Sequence, residues 1–171
     1  MTDFLQLAHD RYSCRAFADR PVEDEKVQAL IDAAVAAPTA VDKQPWHLWV
    51  VESPEAVERL SGLTRFSFGA RVILVLGAAP DEAWVRKYDG RNFADVDASI
   101  VGTHIMLAAH DLGLGTTWVG HFDAPAVKEA FPEMAGYDLV ALFPLGYPAE
   151  GDEPAAMHFK RRPAEELVSR L

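Results

Sequence analysis

A chain of 171 residues, half of them hydrophobic and a quarter charged, has the composition of one compact domain with a sizeable core, which excludes a disordered or collagenous protein. Its formal net charge of −10 argues against general affinity for nucleic acid, which rests largely on phosphate neutralisation by Lys and Arg. The longest uncharged apolar run, ASIVGTHIMLAAH at 98–110, is too short for a membrane span. MTDFLQLAHDRYSCR lacks the features of a secretory signal and one cysteine cannot form an internal disulfide, so the cytoplasm is the expected compartment.

The pattern predicts a first helix over 3–10, with Phe4, Leu5, Leu7 and Ala8 as its apolar stripe. RYSCRAF follows, and DRPVEDEK opens a second helix with Pro21 and three acids near its positive end. Val27, Leu30, Ile31, Ala34 and Val35 recur at the spacing of a buried helical face, which Pro38 ends. PTAVDKQP is a proline-bracketed loop, WHLWVVE a strand, and 54–62 a short helix. RVILVLGAA is uniformly apolar at strand length, as a strand covered on both faces should be.

Residues 80–95 mix aromatics, charges and Asp-Gly, and read as an irregular segment or a helix broken by a turn. VDASIVGTHIMLAAHDLGLG is apolar on nearly every side and marks the central helix, with its glycines as C-cap and turn. TTWVGHF reads as a strand, DAPAVKEAF as a helix capped by Asp123, and YDLVALFPLGY as another strand before a polar stretch and a short amphipathic tail. The expectation is a single α+β domain: a mixed, mostly antiparallel sheet of about four or five strands flanked by helices.

Six scattered histidines form no zinc-ligand spacing with the cysteine, so no metal site is expected. Ser13, Cys14 and Ser67 lie in no nucleophile elbow. Cys14 reads as a small buried hydrophobe, although the neighbouring Arg11 and Arg15 leave thiol reactivity open. GLGTTWVG follows a helix and leads into a strand, the reverse of the dinucleotide-binding order. Against the acidic background two basic clusters stand out, Arg11 with Arg15 and Lys160–Arg162, and two clusters from opposite ends of a chain suit convergence on one small anion such as a phosphate.

Four segments in order resemble the FMN-dependent nitroreductase family and span nearly the whole chain: Arg11, Ser13 and Arg15 in RYSCRAF; AAPTAVDKQPWHLWVV with Gln44; DLGLGTTWVGHF; and FKRRPAEELV. The resemblance implies FMN as cofactor, NADH or NADPH as reductant, and a homodimer with FMN at the subunit interface and the C-terminal tail exchanged between subunits. It assigns Arg11 and Arg15, with Arg161 and either Lys160 or Arg162, to the phosphate and ring oxygens, with Tyr12 and Ser13 adding polar contacts. Pro38, Thr39, Ala40, Val41 and Asp42 would cover the flavin of the other subunit. Asp42 stands where many relatives have Asn, and an ionised carboxylate there loses any contact in which the amide donates. Trp118, Val119 and Gly120 would present a main-chain N–H to the ring N5, and Trp84, Arg86 and Tyr88 would contact an acceptor such as a nitroaromatic or quinone. Because the flavin carries the chemistry, no catalytic acid, base or nucleophile is assigned. The alternatives left open are a reductive dehalogenase or enone reductase of the same superfamily, and a flavin-handling protein with little turnover.

Overall fold

In a computed structural model of the chain, residues 3–171 are described. The helices are α1 (Phe4–Asp10), α2 (Asp24–Val35), α3 (Pro54–Ser61), α4 (Ala94–Asp111), α5 (Ala124–Ala130) and α6 (Ala164–Leu167). The strands β1 (Trp46–Val51), β2 (Val72–Ala78), β3 (Gly115–Thr116) and β4 (Asp138–Gly146) form one sheet in the order β1-β2-β4-β3. All three pairings are antiparallel, with Val51 opposite Ile73 and Val72 opposite Leu145. The one parallel contact is an isolated bridge between Ser13 and Thr116. The fold is α+β, as the interleaving of helices and strands predicts, with the sheet antiparallel throughout its four strands.

Every residue of β2 is buried, because successive side chains enter cores on opposite faces of the sheet. Leu74 and Leu76 join Leu30 and Ala34 of α2, and Ala98, Val101 and Ile105 of α4. Ile73 and Val75 join Leu60 of α3, Val127 of α5, and Phe131 and Met134 beyond it. The uniformly apolar character of α4 follows from its position between α2 and the sheet. Its end is a Schellman turn: Gly113 at φ 73° donates to His110 O and Leu114 N donates to Ala109 O, at 3.0 and 2.8 Å. Asp123 caps α5 as its position predicts, its Oδ1 accepting from Ala126 N at 3.0 Å. Among the described residues, no helix is long and apolar enough to cross a membrane.

Three expectations change. The α1 stripe is not buried within this chain, Phe4 and Leu5 being exposed. On α2 the packed face consists of Val27, Leu30 and Ala34, while Val35 points to solvent at the helix end. TTWVGHF does not form one strand: pairing begins earlier, at Gly115, breaks at Thr117 and resumes as a single bridge from Val119 to Leu142.

A small network fastens the start of α2 to the end of β4. Tyr147 Oη donates to Glu23 Oε2 at 2.6 Å, Arg20 donates to Glu23 Oε1 at 2.8 Å, and the Arg20 guanidinium lies 3.7 Å from the Tyr147 ring centroid. These bonds hold the Glu23 carboxyl at about 2 against an ordinary value of 4.5, the Tyr147 bond contributing most. A depressed carboxylate stabilises the fold above its unfolded pKa and loses that contribution as pH falls towards its folded one. Tyr147→Phe is therefore expected to move the acid-unfolding midpoint, followed by circular dichroism between pH 5 and 2, to higher pH.

Candidate functional site

Residues 13–18 run extended along the edge of the sheet. Cys14 N donates to Thr116 O at 3.1 Å, Ala18 N to Tyr147 O at 2.8 Å, and Ala149 N to Ala16 O at 2.9 Å. In an extended segment alternate side chains face opposite ways. Cys14 is fully buried against Gly115, where an added Cβ would lie 2.5 Å from Cys14 Sγ. Arg15 is turned outward and lines a cleft of about 210 Å³ with Phe66, Phe68 and residues 117–121.

The orientation decides the role of Cys14. Burial is the main cause that pushes its thiol up to about 12, and Asp152 adds to the effect. A thiol is nucleophilic only as thiolate, so burial and the raised pKa disfavour reaction at Cys14 in the native state. Iodoacetamide at pH 8 should label it slowly in native protein and rapidly in denaturant, as mass spectrometry would show.

One arginine of each basic cluster lies within electrostatic reach of the other. Arg11 is half-buried, and its guanidinium is depressed first by that burial and then by the charge of Arg161. Among the described residues, neither Arg11, Arg15, Lys160 nor Arg161 forms an ion pair with a carboxylate. Among the described residues the side-chain hydrogen bonds of Arg15 and Arg161 go to main-chain oxygens, Arg15 Nη1 donating to Ser13 O at 3.1 Å and Arg161 Nη1 to Lys160 O at 2.9 Å and Met157 O at 3.2 Å. Arg162, by contrast, pairs with Glu166 one helical turn on, at 2.9 Å. Of the three basic residues at 160–162, Arg161 is thus the one coupled to Arg11 and Arg162 the one already neutralised. Ser13 bridges to Thr116, and the Tyr12 hydroxyl commits its proton to Asp152 Oδ2 at 3.0 Å, so its side chain could meet a ligand only as an acceptor.

Along 118–120 the pairing selects the available donor. Val119 exchanges both main-chain hydrogen bonds with Leu142, at 2.9 and 3.0 Å, so its N–H is committed to the sheet. The N–H groups on either side of such a residue point away from the partner strand. Gly120 is exposed, and its main chain borders the Arg15 cleft. Trp118 packs its ring edge-on against Phe143, 5.2 Å between centroids, and anchors the stretch in the core.

The loop from Pro38 to Gln44 is strained. Val41, Asp42 and Gln44 have φ of 48°, 56° and 51°, conformations that cost a non-glycine residue about 1–3 kcal/mol each. Local bonds hold them: Gln44 N donates to Thr39 Oγ1 at 3.0 Å, Gln44 Nε2 to Asp42 Oδ1 at 2.9 Å, and Ala40 N to Oδ1 of the buried Asp97 in α4 at 2.9 Å. The loop does not line the Arg15 cleft within one chain, and Val41 at its tip is exposed.

Trp84, Arg86 and Tyr88 line a separate cleft of about 220 Å³. The segment forms a hairpin-like turn, with Val85 bridged to Asn92 and Gly90 at φ 72°. Arg86 is engaged by Asp89, which raises the guanidinium pKa, and Trp84 meets Phe93 edge-on at 5.0 Å. Tyr88 is 86% exposed. In this chain alone these three residues do not reach the Arg15 cleft.

Sequence reasoning missed Phe66, Phe68 and His121, which wall that cleft. The signal was RFSFG, two aromatics bracketing a serine with no helical or strand period, but only Ser67 in it drew notice. Among the described residues, no group of three His, Cys, Asp or Glu side chains could hold a metal ion.

A four-stranded antiparallel sheet under helices, with unneutralised cations along one edge and an aromatic-walled cleft beside them, defines the class: an α+β protein of the flavoprotein-like nitroreductase fold. The chain belongs to the nitroreductase family, whose model matches residues 8–68 and 62–147. A Methanothermobacter thermautotrophicus protein, provisionally described as an NADH dehydrogenase/NAD(P)H nitroreductase, is 32% identical over 152 residues, covering 86% of this chain and 78% of its own. The crystal structure of a nitroreductase family protein from Clostridium difficile superposes with a TM-score of 0.90 at 35% identity, covering 98% of both chains. A Desulfovibrio desulfuricans protein, provisionally described as a nitroreductase and solved in complex with FMN, gives a TM-score of 0.77 at 26% identity over 100% of this chain and 98% of that one. The basic segment at 160–162 lies beyond the family-model match.

Proposed function

We propose that this chain is a single-domain, FMN-dependent oxidoreductase of the cytoplasm, passing reducing equivalents from NADH or NADPH to a small aromatic acceptor such as a nitroaromatic or quinone. The observation that carries the reading is the half-buried Arg11, which feels the charge of Arg161 while, among the described residues, neither forms an ion pair with a carboxylate. Two like charges brought together in a chain of net charge −10 call for an anion, and the donor set suits a phosphate. Arg11 and Arg161, with Lys160 beside them, would hold the FMN phosphate, and Ser13 and the Tyr12 main chain its polar surroundings. Arg15 would meet the ring oxygens, and the Gly120 N–H would point at the ring's N5 edge. When bound, FMN supplies the electron transfer between nicotinamide and acceptor.

The protein's share is binding, orientation and exclusion of water. Phe66 and Phe68 give the cleft apolar walls, and the Trp118 ring in the core fixes the main chain of 118–120. With one ring face available, nucleotide and acceptor would occupy it in turn, which is ping-pong kinetics. Pro38, Thr39, Ala40 and Asp42, with Gln44 holding Asp42, would cover the flavin of a second copy; strained main chain at an exposed tip is characteristic of such clamps. Met157, Phe159, Leu167 and Val168 of the C-terminal segment and Phe4 and Leu5 of α1 are exposed apolar side chains, consistent with tail exchange in a homodimer. Trp84, Arg86 and Tyr88 would contact the acceptor only across that interface.

Anaerobic addition of NADH or NADPH to the yellow protein should bleach its flavin absorbance, and a nitroaromatic or quinone should restore it. Flavin that is bound but bleached by neither nucleotide would favour a flavin-handling protein instead.

A further inference from the structure

We propose, on the footing of the FMN reading, that a second cleft beside the flavin site selects acceptors carrying a carboxylate on the aromatic ring, and that Arg65 recognises it. The cleft has a volume of about 390 Å³ and shares His121 with the Arg15 cleft. Thr64, Arg65, Phe122 and Asp123 lie along it.

The two clefts are fastened together at their common wall. Thr64 Oγ1 donates to His121 O and accepts from Phe66 N, each at 3.2 Å. The Phe66 ring meets His121 edge-on, 5.6 Å between centroids, and Phe68 at 6.0 Å. Residues 64–66 therefore contribute Phe66 to the lining of the first cleft and Arg65 to that of the second. A planar acceptor stacked at the first cleft would direct a ring substituent past His121 into the second.

Arg65 is the arginine of this cleft. Among the described residues Arg65 has no carboxylate partner within ion-pair distance. Asp123, the carboxylate in the cleft, accepts from Ala126 N through Oδ1 as the cap of α5 and makes no ion pair with Arg65. A free guanidinium matches the two oxygens of a carboxylate with two parallel hydrogen bonds, a match a neutral amide cannot offer.

The experiment uses FMN-loaded protein titrated with 4-nitrobenzoate and with 4-nitrobenzamide, reading the perturbation of the oxidised flavin's visible band. Wild type should bind the carboxylate about tenfold more tightly than the amide. Arg65→Gln should abolish the preference by raising the Kd of the carboxylate, and should raise KM for 4-nitrobenzoate in turnover. Equal affinities in the wild type, or a preference that survives in Arg65→Gln, would overturn the assignment. FMN uptake is measured first: protein that takes up none overturns the flavin reading and this one with it, whereas loaded protein without the preference overturns this one alone.

Discussion

Arg11→Ala should weaken FMN binding on the order of thirtyfold in a flavin-fluorescence titration of apoprotein, a loss of about 2 kcal/mol. That is the lower end of the roughly 2–5 kcal/mol lost when one partner of a desolvated charge pair is removed, as suits a half-buried side chain. Without Arg11 the proposed phosphate site would keep Arg161, which is exposed and more strongly screened. Arg15→Ala should cost less, about tenfold, because Arg15 is exposed. Arg162→Ala serves as the control, since its guanidinium is paired with Glu166, and it should leave the titration unchanged. Unaltered affinity in both Arg11→Ala and Arg15→Ala would remove the basic edge from the account.

The second large effect comes from packing beneath that edge. A Cβ on Gly115 would stand 2.5 Å from Sγ and 2.7 Å from Cβ of Cys14, and 3.3 Å from the Pro148 ring. Cys14 has nowhere to go, being fully buried with Sγ donating to Ala16 O at 3.3 Å. Overpacking of this kind costs about 1–3 kcal/mol, so Gly115→Ala should lower Tm by about 5 °C. It should also weaken FMN binding, because the relief available is a shift of the segment that carries Arg11, Ser13 and Arg15. Adding Cys14→Ala removes Sγ and should recover part of both losses, though the Cβ contact persists. Gly136→Ala, where an added Cβ meets nothing within 4 Å, should change neither. An unchanged Tm in Gly115→Ala would mean that RYSCRAF does not lie against β3.

The packing also explains which parts of the molecule were legible in the chain. Helices α2, α4 and α5 and strands β1, β2 and β4 were recognisable because each buries a face whose period is written locally, and because Asp123 and Gly113 mark ends by cap chemistry. The break after Thr116 was not, since it depends on Val119 finding Leu142 across the sheet. The outward turn of the α1 stripe was equally hidden: Phe4 and Leu5 have the right spacing, but nothing in this chain covers them.

The site divides in the same way. The paired arginines and the basic tail were visible as departures from an acidic composition, whereas which of residues 160–162 is left unpaired emerges only from the structure, where Arg162 is held by Glu166. Phe66, Phe68 and His121 come from two loops that meet only in three dimensions, so no local pattern announced them. Arg86 illustrates the converse, since a charge suited to substrate by position is held by Asp89 three residues later.

The proposed binding of a phosphate by Arg11 and Arg161 is tested most directly by comparing FMN with riboflavin, the same ring and ribityl chain without the phosphate. Two charged partners, each worth about 1.5–3 kcal/mol, predict that apoprotein binds FMN at least about a hundredfold more tightly, with the advantage shrinking as salt is raised. Equal affinity for the two flavins would contradict the account.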